Sequence, residues 1–368
     1  MERDSTAREA GGERLGLEPF IALPDDGMAP RDQRDLMSQP FFSLAKSRRI
    51  TPIRYAAGDV RVEVHGLPEH GMATIWDADI LIWAASQIVE AADQGLRTSR
   101  FFRFTPYQLL TAIRRGPGQS QYVLLKRSLQ RLQSTVVLTT IRQGVNWRRM
   151  QFSWINEWEE LVDGRGRIHG MEFVLPEWFY RSVLDRSLVL TIDPAYFDLS
   201  GGIERWLYRL ARRHAGRQED GWAFELRHLH AKSGSLARFS DFTLDLRRLV
   251  ARQTLPGYRL TLEIQRGRHL LRITPRPGAD LSPGTVDTRM NSIRVSGASA
   301  IRRSGANLSA YQAQPSQLSL WPETPIGAPN ESNLQDSNFY DGGACKTGKT
   351  SGGAVLPVGN HPRRGGRR

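Results

Sequence analysis

The sequence of 368 residues contains only one cysteine, Cys345. A single cysteine excludes a disulfide framework and a cysteine-based zinc site, and it is typical of a protein in the reducing cytoplasm. The sequence also lacks any run of about 18 apolar residues, and its first residues lack the apolar core of a signal peptide. We therefore expect a cytoplasmic location and no membrane partner.

Lysine is scarce, since 46 of the 51 basic residues are arginine. The 38 acidic residues leave a net charge of +13, and most of that excess lies between residues 72 and 277. A positive charge favours a polyanionic partner, and the planar guanidinium of arginine suits bidentate contacts to phosphate or guanine. The composition therefore favours a nucleic acid as the partner.

The chain is long enough for more than one packing unit, because single cores usually stop growing at roughly 250 to 300 residues. The last 91 residues include 31 glycines, prolines and serines, and their apolar residues follow no period. Such a composition buries too little surface to offset backbone entropy, so we predict disorder there and in the similarly polar first 40 residues. The predicted organisation is a disordered N-terminal tail at 1–40, a connecting segment at 41–71, a first domain at 72–176, a linker at 177–199, a second domain at 200–277 and a disordered basic tail at 278–368.

The first predicted domain contains three helices followed by a hairpin. Thr74 is expected to cap an apolar helix at about 75–92, and Thr105-Pro106 has the form of a cap plus a first-turn proline. A third helix is predicted over residues 119–133, because its apolar residues repeat at helical spacing: Tyr122, Leu125, Leu129 and Leu132. Two strands with the sequences TVVLTTI and MQFSWI then form a hairpin with basic residues at its tip.

The same order recurs from about residue 200. The segment GGIERWLYRLARRHAG predicts a helix, WAF a strand and ELRHLHAKSG a short helix. A longer helix is predicted over 235–253, and two strands joined by residues 265–268 follow it. Three helices plus a hairpin is the element order of a winged-helix module, in which the third helix enters the major groove. The predicted fold class is therefore α+β, with two tandem winged-helix DNA-binding domains.

The predicted third helices and hairpin tips carry the side chains that DNA recognition requires. Arginine, lysine and glutamine match the donor and acceptor pattern of base edges, whereas arginines on a wing mostly contact phosphates. The candidate DNA-binding residues are Gln119, Gln121, Lys126, Arg127, Gln130, Arg131, Arg148, Arg149, Ser233, Ser235, Arg238, Arg266 and Arg268. An ordinary solvated helix surface is the alternative explanation for any one of them.

Five phrases along the chain resemble a known family. They are MATIWDADILIW (72–83), YVLLKRSLQRLQSTVV (122–137), GRIHGMEFVLPEWFY (166–180), LTIDPAYFDLSGGIERWLYRLARRHAGRQ (190–218) and KSGSLARFSDFTLDLRRLV followed by LPGYRL (232–260). Together they resemble the plasmid replication initiator protein A family, the RepA-type initiators of bacterial plasmids.

The resemblance implies a protein that binds repeated double-stranded DNA sites at a plasmid origin. It also implies that the protein helps to open the origin and helps the host replication initiator and helicase machinery to load. The two winged-helix domains are implied as well. No motif of the family is catalytic, so we predict no enzymatic activity, no metal and no cofactor. A second copy of the chain, as a homodimer, is a further candidate partner.

Two motifs suggest other functions. Residues 343–350, GACKTGKT, match the P-loop formula, but no apolar strand precedes them and no helix follows, as phosphate binding would require. His228-Leu229-His230 has the spelling found in metal-dependent nicking initiators, with Tyr208 as a candidate nucleophile. The surrounding pattern instead predicts a helix, on which residues two apart diverge. A winged-helix transcriptional repressor is a third alternative, because it would share every residue feature.

The acidic pairs and the tryptophans have structural explanations. Capping and solvation explain Glu159-Glu160 and Asp77/Asp79 more simply than metal binding does. Core packing is the expected role of the tryptophans that recur in apolar contexts: Trp76, Trp83, Trp154, Trp158, Trp178, Trp206 and Trp222.

Overall fold

The computed structural model describes residues 16–24, 27–141, 150–216 and 218–277. Within these ranges the chain is a mixed α+β structure, as the sequence predicts. Its first ten elements are β1 (Phe20–Ile21), β2 (Arg31–Gln33), α1 (Arg34–Ser38), β3 (Ile53–Ala57), β4 (Val60–Gly66), α2 (Ala78–Asp93), β5 (Phe101–Phe104), α3 (Pro106–Ala112), α4 (Gln119–Ser134) and β6 (Thr135–Thr139). The others are β7 (Met150–Ser153), β8 (Glu157–Val162), β9 (Ile168–Val174), α5 (Glu177–Leu184), β10 (Val189–Thr191), α6 (Gly202–His214), β11 (Trp222–Glu225), α7 (Leu226–Ser233), α8 (Phe239–Arg252), β12 (Tyr258–Gln265) and β13 (Arg268–Pro275).

The predicted order of three helices and a hairpin is confirmed twice. Helices α2, α3 and α4 precede the antiparallel pair β6–β7, and helices α6, α7 and α8 precede the antiparallel pair β12–β13. Thr105 closes a capping box with Gln108 at the start of α3, as its sequence position predicts. Helix α2 begins later than predicted, because Asp77 rather than Thr74 is its N-cap residue.

The apolar periodicity of the predicted third helices is confirmed. Leu125, Leu129 and Leu132 of α4 are buried, and so are Phe242, Leu246 and Leu249 of α8. Because these residues recur every three or four positions, each helix packs one face on the core and leaves the opposite face to solvent.

The hairpins belong to larger antiparallel sheets. Strands β6 and β7 lie in a four-stranded sheet of order β3-β4-β6-β7, so part of the predicted connecting segment extends the hairpin sheet. Strands β12 and β13 form a three-stranded sheet with β11. Arg266 and Gly267 join them with positive φ angles of 50° and 76°, which is the conformation of a two-residue type I′ turn. A further four-stranded sheet, of order β1-β5-β9-β8, has no counterpart in the sequence prediction.

The N-terminal residues are part of the folded body. Phe20, Leu36 and Met37 are buried in the core, and β2 pairs with β10. The prediction of a disordered tail at 1–40 was therefore wrong for residues 16–24 and 27–40. The predicted linker at 177–199 also packs on the core, through α5 and through the buried ring of Tyr196.

Aromatic rings form much of the core. The rings of Phe41 and Phe42 lie 5.4 and 5.0 Å from that of Trp154, and Phe152 stacks on Trp178 at 4.8 Å. These contacts belong to one contiguous hydrophobic cluster that extends from Phe20 to Ile273. Core packing is thus confirmed for Trp83, Trp154, Trp178 and Trp206. Among the described residues, no helix is long and apolar enough to cross a membrane.

Candidate nucleic-acid interface

Helix α4 presents an exposed polar face that carries no acidic residue. Gln119 and Arg127 are exposed on this face and Gln130 is half-buried between them, whereas Gln121 is half-buried on the side of Leu125. Glutamine and arginine side chains present the donors and acceptors that pair with base edges. Exposed apolar side chains, such as Leu124, lie among them and have the chemistry to contact thymine methyl groups.

Two basic residues of α4 have acidic partners within the protein. The Lys126 ammonium lies 3.0 Å from Glu160 of β8 and remains partly exposed. The Arg131 guanidinium donates from Nε and Nη2 to the two carboxylate oxygens of Asp77, at 2.8 and 2.6 Å. The hydrogen bond with Asp77 raises the pKa of Arg131. The prediction that Arg131 pairs with a base is corrected here, because its donors already hold a buried carboxylate.

The second predicted interface begins later than expected. Helix α8 starts at Phe239, so Ser235 lies in the loop before it, where its hydroxyl accepts a hydrogen bond from the backbone N–H of Ala237. Ser233 is the last residue of α7, is fully buried and donates from its hydroxyl to the carbonyl of His230 at 2.7 Å. Ser233 is therefore withdrawn from the candidate interface, whereas Arg238 stays exposed beside the start of α8.

The exposed face of α8 mixes the two signs of charge. Arg247 and Leu244 are exposed, and they were not among the predicted DNA-binding residues. The signal for Arg247 was its position opposite the buried stripe of Phe242, Leu246 and Leu249. Asp245 lies on the same helix and forms an ion pair with Arg248 at 3.1 Å. Helix α8 therefore has a less cationic surface than α4.

The tip of the β12–β13 hairpin is basic and solvent-exposed. Arg266 lies in the turn, and Arg268 follows it with its guanidinium 3.8 Å from Glu225 and about two thirds of its side chain accessible. Both arginines are therefore placed where a hairpin tip would contact phosphates. The predicted Arg148 and Arg149 lie outside the described residues.

The acidic pair at the start of α2 is buried, so the prediction of solvation was wrong for it, whereas Asp77 does occupy the N-cap position. Asp77 also accepts hydrogen bonds from the backbone N–H and the hydroxyl of Thr74, at 2.8 and 2.9 Å. Asp79 is fully buried and accepts from Arg205 of α6 at 2.7 Å and from Arg115 at 2.9 Å. Burial raises the pKa of Asp79, and the positive charges of the two arginines oppose that rise.

The residues of the nicking alternative do not form an active site. His228 and His230 lie on helix α7, where the Nε2 of His230 is 2.8 Å from the carbonyl oxygen of Ala237. Tyr208 is buried, and its hydroxyl accepts a hydrogen bond from the backbone N–H of Asp193 at 2.6 Å. Burial raises the pKa of Tyr208 above its usual value, which disfavours a nucleophilic phenolate. Across the described ranges, no group of three or more histidine, cysteine, aspartate or glutamate residues is arranged to hold a metal. The P-loop match at 343–350 lies outside the described residues.

Comparisons with known proteins identify similar chains. A family model described as Replication initiator protein A matches residues 31–260. A protein from Wigglesworthia glossinidia brevipalpis, described as a replication protein, is 32% identical over 250 residues, which cover 66% of this chain and 88% of that relative. A crystal structure of domains 2 and 3 of RctB covers 66% of this chain and 98% of its own, at 14% identity and a TM-score of 0.49. A second structure of those domains has 13% identity and a TM-score of 0.45, with 66% and 96% covered.

Proposed function

The chain belongs to the replication initiator protein A family, and on this premise we propose that it binds repeated double-stranded sites at a plasmid origin and promotes origin opening. The proposal includes host replication initiator and helicase proteins as later partners. The single observation that carries the DNA-binding step is the exposed, acid-free face of α4. A duplex surface is polyanionic, so a helix that carries no carboxylate adds no repulsion of its own.

The proposed mechanism uses two tandem winged-helix domains. The first contains α2, α3, α4 and the β6–β7 hairpin, and the second contains α6, α7, α8 and the β12–β13 hairpin. Helices α4 and α8, which we call the recognition helices, enter successive major grooves, and the hairpin tips contact the phosphates beside them. No covalent bond forms or breaks in this mechanism. Bending of the bound site is offset by the contacts that the second domain adds, and an adjacent A·T-rich segment then opens.

The exposed residues of α4 have distinct proposed roles. Arg127 has no acidic partner on its own helix and pairs with a guanine or a phosphate, while Gln119, Gln121 and Gln130 pair with base edges. Lys126 is a weaker candidate, because Glu160 competes with the DNA for its ammonium. On the second domain, Ser235, Arg238, Arg266 and Arg268 contact the phosphate backbone.

Footprinting on the replication region of the parent plasmid tests this proposal. We expect protection of repeated segments, each about two helical turns long, because two successive grooves are occupied. We also expect binding to weaken steeply with salt, with a log-log slope of roughly −5 to −9 for about 6 to 10 neutralised phosphates. A slope near zero, or the absence of any protected segment, would contradict the proposal.

Two further assays separate the alternatives. Supercoiled origin DNA with Mg²⁺ or Mn²⁺ would acquire a covalent protein adduct on a nicked strand if the chain were a nicking initiator. A transformation assay with an origin that lacks its own initiator gene separates an initiator from a repressor. The chain is supplied from a second replicon in the same cell. The plasmid is maintained if the chain is an initiator and is lost if the chain is only a repressor.

A further inference from the structure

Helix α6 is buried on almost every side, although its sequence is strongly charged. Every residue from Glu204 to Arg212 is buried, including three arginines. One face is apolar and contacts α8, with the Trp206 ring 6.5 Å from that of Phe242. The opposite face carries Arg205 and Arg209, one helical turn apart, so both lie on the same side of the helix.

The arginine face of α6 is bound to two aspartates that precede α3 in the chain, Asp32 and Asp79. Arg205 donates from Nη1 to both oxygens of Asp79, at 2.7 and 2.9 Å, and its remaining nitrogens donate to two backbone carbonyls. Arg209 donates from Nε and Nη2 to the two oxygens of Asp32, at 2.6 and 2.9 Å. The arginine and aspartate side chains of the second pair are each only 1% exposed. Bidentate and multiply bonded guanidinium groups fix orientation as well as distance.

A continuous series of contacts therefore joins the two recognition helices. Arg131 of α4 binds Asp77, and Asp79 lies two residues further along at the start of α2. Asp79 binds Arg205, and the next residue of α6, Trp206, packs against Phe242 of α8. We refer to the side chains of Asp77, Asp79, Arg131 and Arg205 as the ion-pair bridge.

Close backbone packing reinforces the bridge. A Cβ atom at Gly202, the first residue of α6, would lie 1.9 Å from the carbonyl oxygen of Leu44, so the helix end is pressed against the N-terminal part of the chain. Arg49, which is almost fully buried, donates to the carbonyl of Gly234 at 2.6 Å and so holds the end of α7 in the same way. Both contacts join the second half of the chain to residues that precede α2.

We propose that the ion-pair bridge holds the two recognition helices at one separation and one relative rotation, so that the protein accepts only one spacing between the two halves of its DNA site. Asp77, Asp79, Arg131 and Arg205 are positioning residues in this proposal, since they touch no DNA. The inference rests on the proposed function and adds the rule by which the protein selects sites. A flexible connection between two domains would accept several spacings.

The geometry of DNA makes the rule measurable. One helical turn is about 10 to 10.5 base pairs and 34 to 36 Å long, so five inserted base pairs move one half-site to the opposite face of the duplex. A single inserted base pair rotates it by roughly a tenth of a turn. A rigid protein loses the contacts of one recognition helix after the larger insertion.

The test uses the full chain and synthetic duplexes that carry the footprinted segment. One duplex is unmodified, and the others have one, five or ten base pairs inserted at the centre. A specific site is bound at least roughly a thousandfold more tightly than other DNA. If each recognition helix supplies half of that free energy, an insertion of five base pairs removes the contacts of one helix and should weaken binding at least roughly thirtyfold. The loss should persist with ten base pairs, since a rigid body cannot span the extra turn. Equal affinity for all duplexes, or recovery at ten base pairs, would overturn the proposal.

Two variants test the residues of the bridge. The double variant Asp79→Asn, Arg205→Gln keeps hydrogen bonding but removes both charges, and we expect a smaller penalty for the one-base-pair insertion than in the natural protein. Arg205→Lys keeps its charge but loses the multiple hydrogen bonds of the guanidinium, and the same change in penalty is expected if the double variant does not fold. The control is Arg181→Gln, which breaks an exposed ion pair with Glu177 on α5 and should leave the penalties unchanged. An unchanged one-base-pair penalty in a folded variant would overturn the role of the bridge.

The outcomes separate this inference from the function on which it depends. If footprinting finds no protected segment, the proposed function itself fails. If a protected segment is bound equally well at every spacing, DNA binding stands and only the fixed spacing is lost.

Discussion

Replacement of Asp79 by asparagine should destabilise the protein strongly. The side chain is fully buried, and it neutralises Arg205, whose own side chain is only 4% exposed. Loss of one partner of a buried ion pair costs roughly 3 to 5 kcal/mol, because the other charge stays buried without compensation. Total stabilities of single domains are roughly 5 to 15 kcal/mol, so the variant should fold but with a large part of its stability lost. For a folded body of this size, the loss corresponds to roughly 6 to 20 °C in Tm.

Equilibrium urea denaturation measures this loss. We expect a lower midpoint with an unchanged slope against urea, since the folded state buries the same surface. Arg181→Gln is the control, because its ion pair with Glu177 is exposed and worth at most about 1 kcal/mol. Asp79→Leu with Arg205→Met removes the two fully buried charges and should recover part of the loss, while Arg115 keeps its hydrogen bond to the carbonyl of Trp76. If Asp79→Asn cost no more than the exposed control, the reasoning about buried charge would be refuted.

Three further predictions concern other parts of the molecule. Arg131→Ala should cost roughly 3 to 5 kcal/mol of stability by leaving the buried Asp77 unpaired, whereas Arg127→Ala should leave urea stability unchanged and weaken binding to footprinted DNA by about 1 to 3 kcal/mol. Burial lowers the pKa of His214 to about 3, so below about pH 6.5 the unfolded chain binds a proton that the folded chain does not. The free energy of unfolding should therefore fall by about 2 kcal/mol between pH 7 and pH 5. The variant His214→Gln should remove that dependence on pH. Leu129→Ala should lower the free energy of unfolding by roughly 2 to 5 kcal/mol in the same denaturation assay, because this side chain of α4 is fully buried in the core.

Specific results would contradict each of these three. A stable Arg131→Ala variant that loses discrimination at a single base pair would restore Arg131 as a base contact. A natural protein with the same stability at pH 7 and pH 5 would show that His214 binds its proton normally when folded. A loss below 1 kcal/mol in Leu129→Ala would mean that α4 is not anchored by its apolar face.

The helices that could be predicted from the sequence are those with a local pattern. Leu125, Leu129 and Leu132 repeat at helical spacing, and a capping residue plus a proline marks the start of α3, so both helices follow from neighbouring residues. The β12–β13 hairpin also follows from its turn residues and the alternation beside them. The exposed residues of α4 were predicted for the same reason, since a buried stripe defines the opposite face.

Prediction from the sequence failed for contacts between residues that are distant along the chain. Asp79 and Arg205 are 126 residues apart, and Asp32 and Arg209 are 177 apart, so no local pattern indicates either pair. An arginine on a helix surface normally indicates solvent, which is why Arg131 was misjudged. The N-terminal residues were misjudged for a related reason. Their few apolar side chains, such as Phe20 and Met37, are buried by surfaces that other parts of the chain supply.

The choice of charged rather than apolar residues at α6 has a physical consequence. An apolar side chain in the position of Arg205 or Arg209 would bury at least as favourably, because desolvation cancels most of the attraction between buried charges. Apolar contacts, however, are nondirectional and allow neighbouring helices to slide or rotate by small amounts. A guanidinium bonded to two carboxylate oxygens allows neither motion without leaving a buried charge unpaired. We propose that the buried arginines of α6 favour one arrangement of the chain over its alternatives for this reason, as the proposed fixed spacing of the two recognition helices requires.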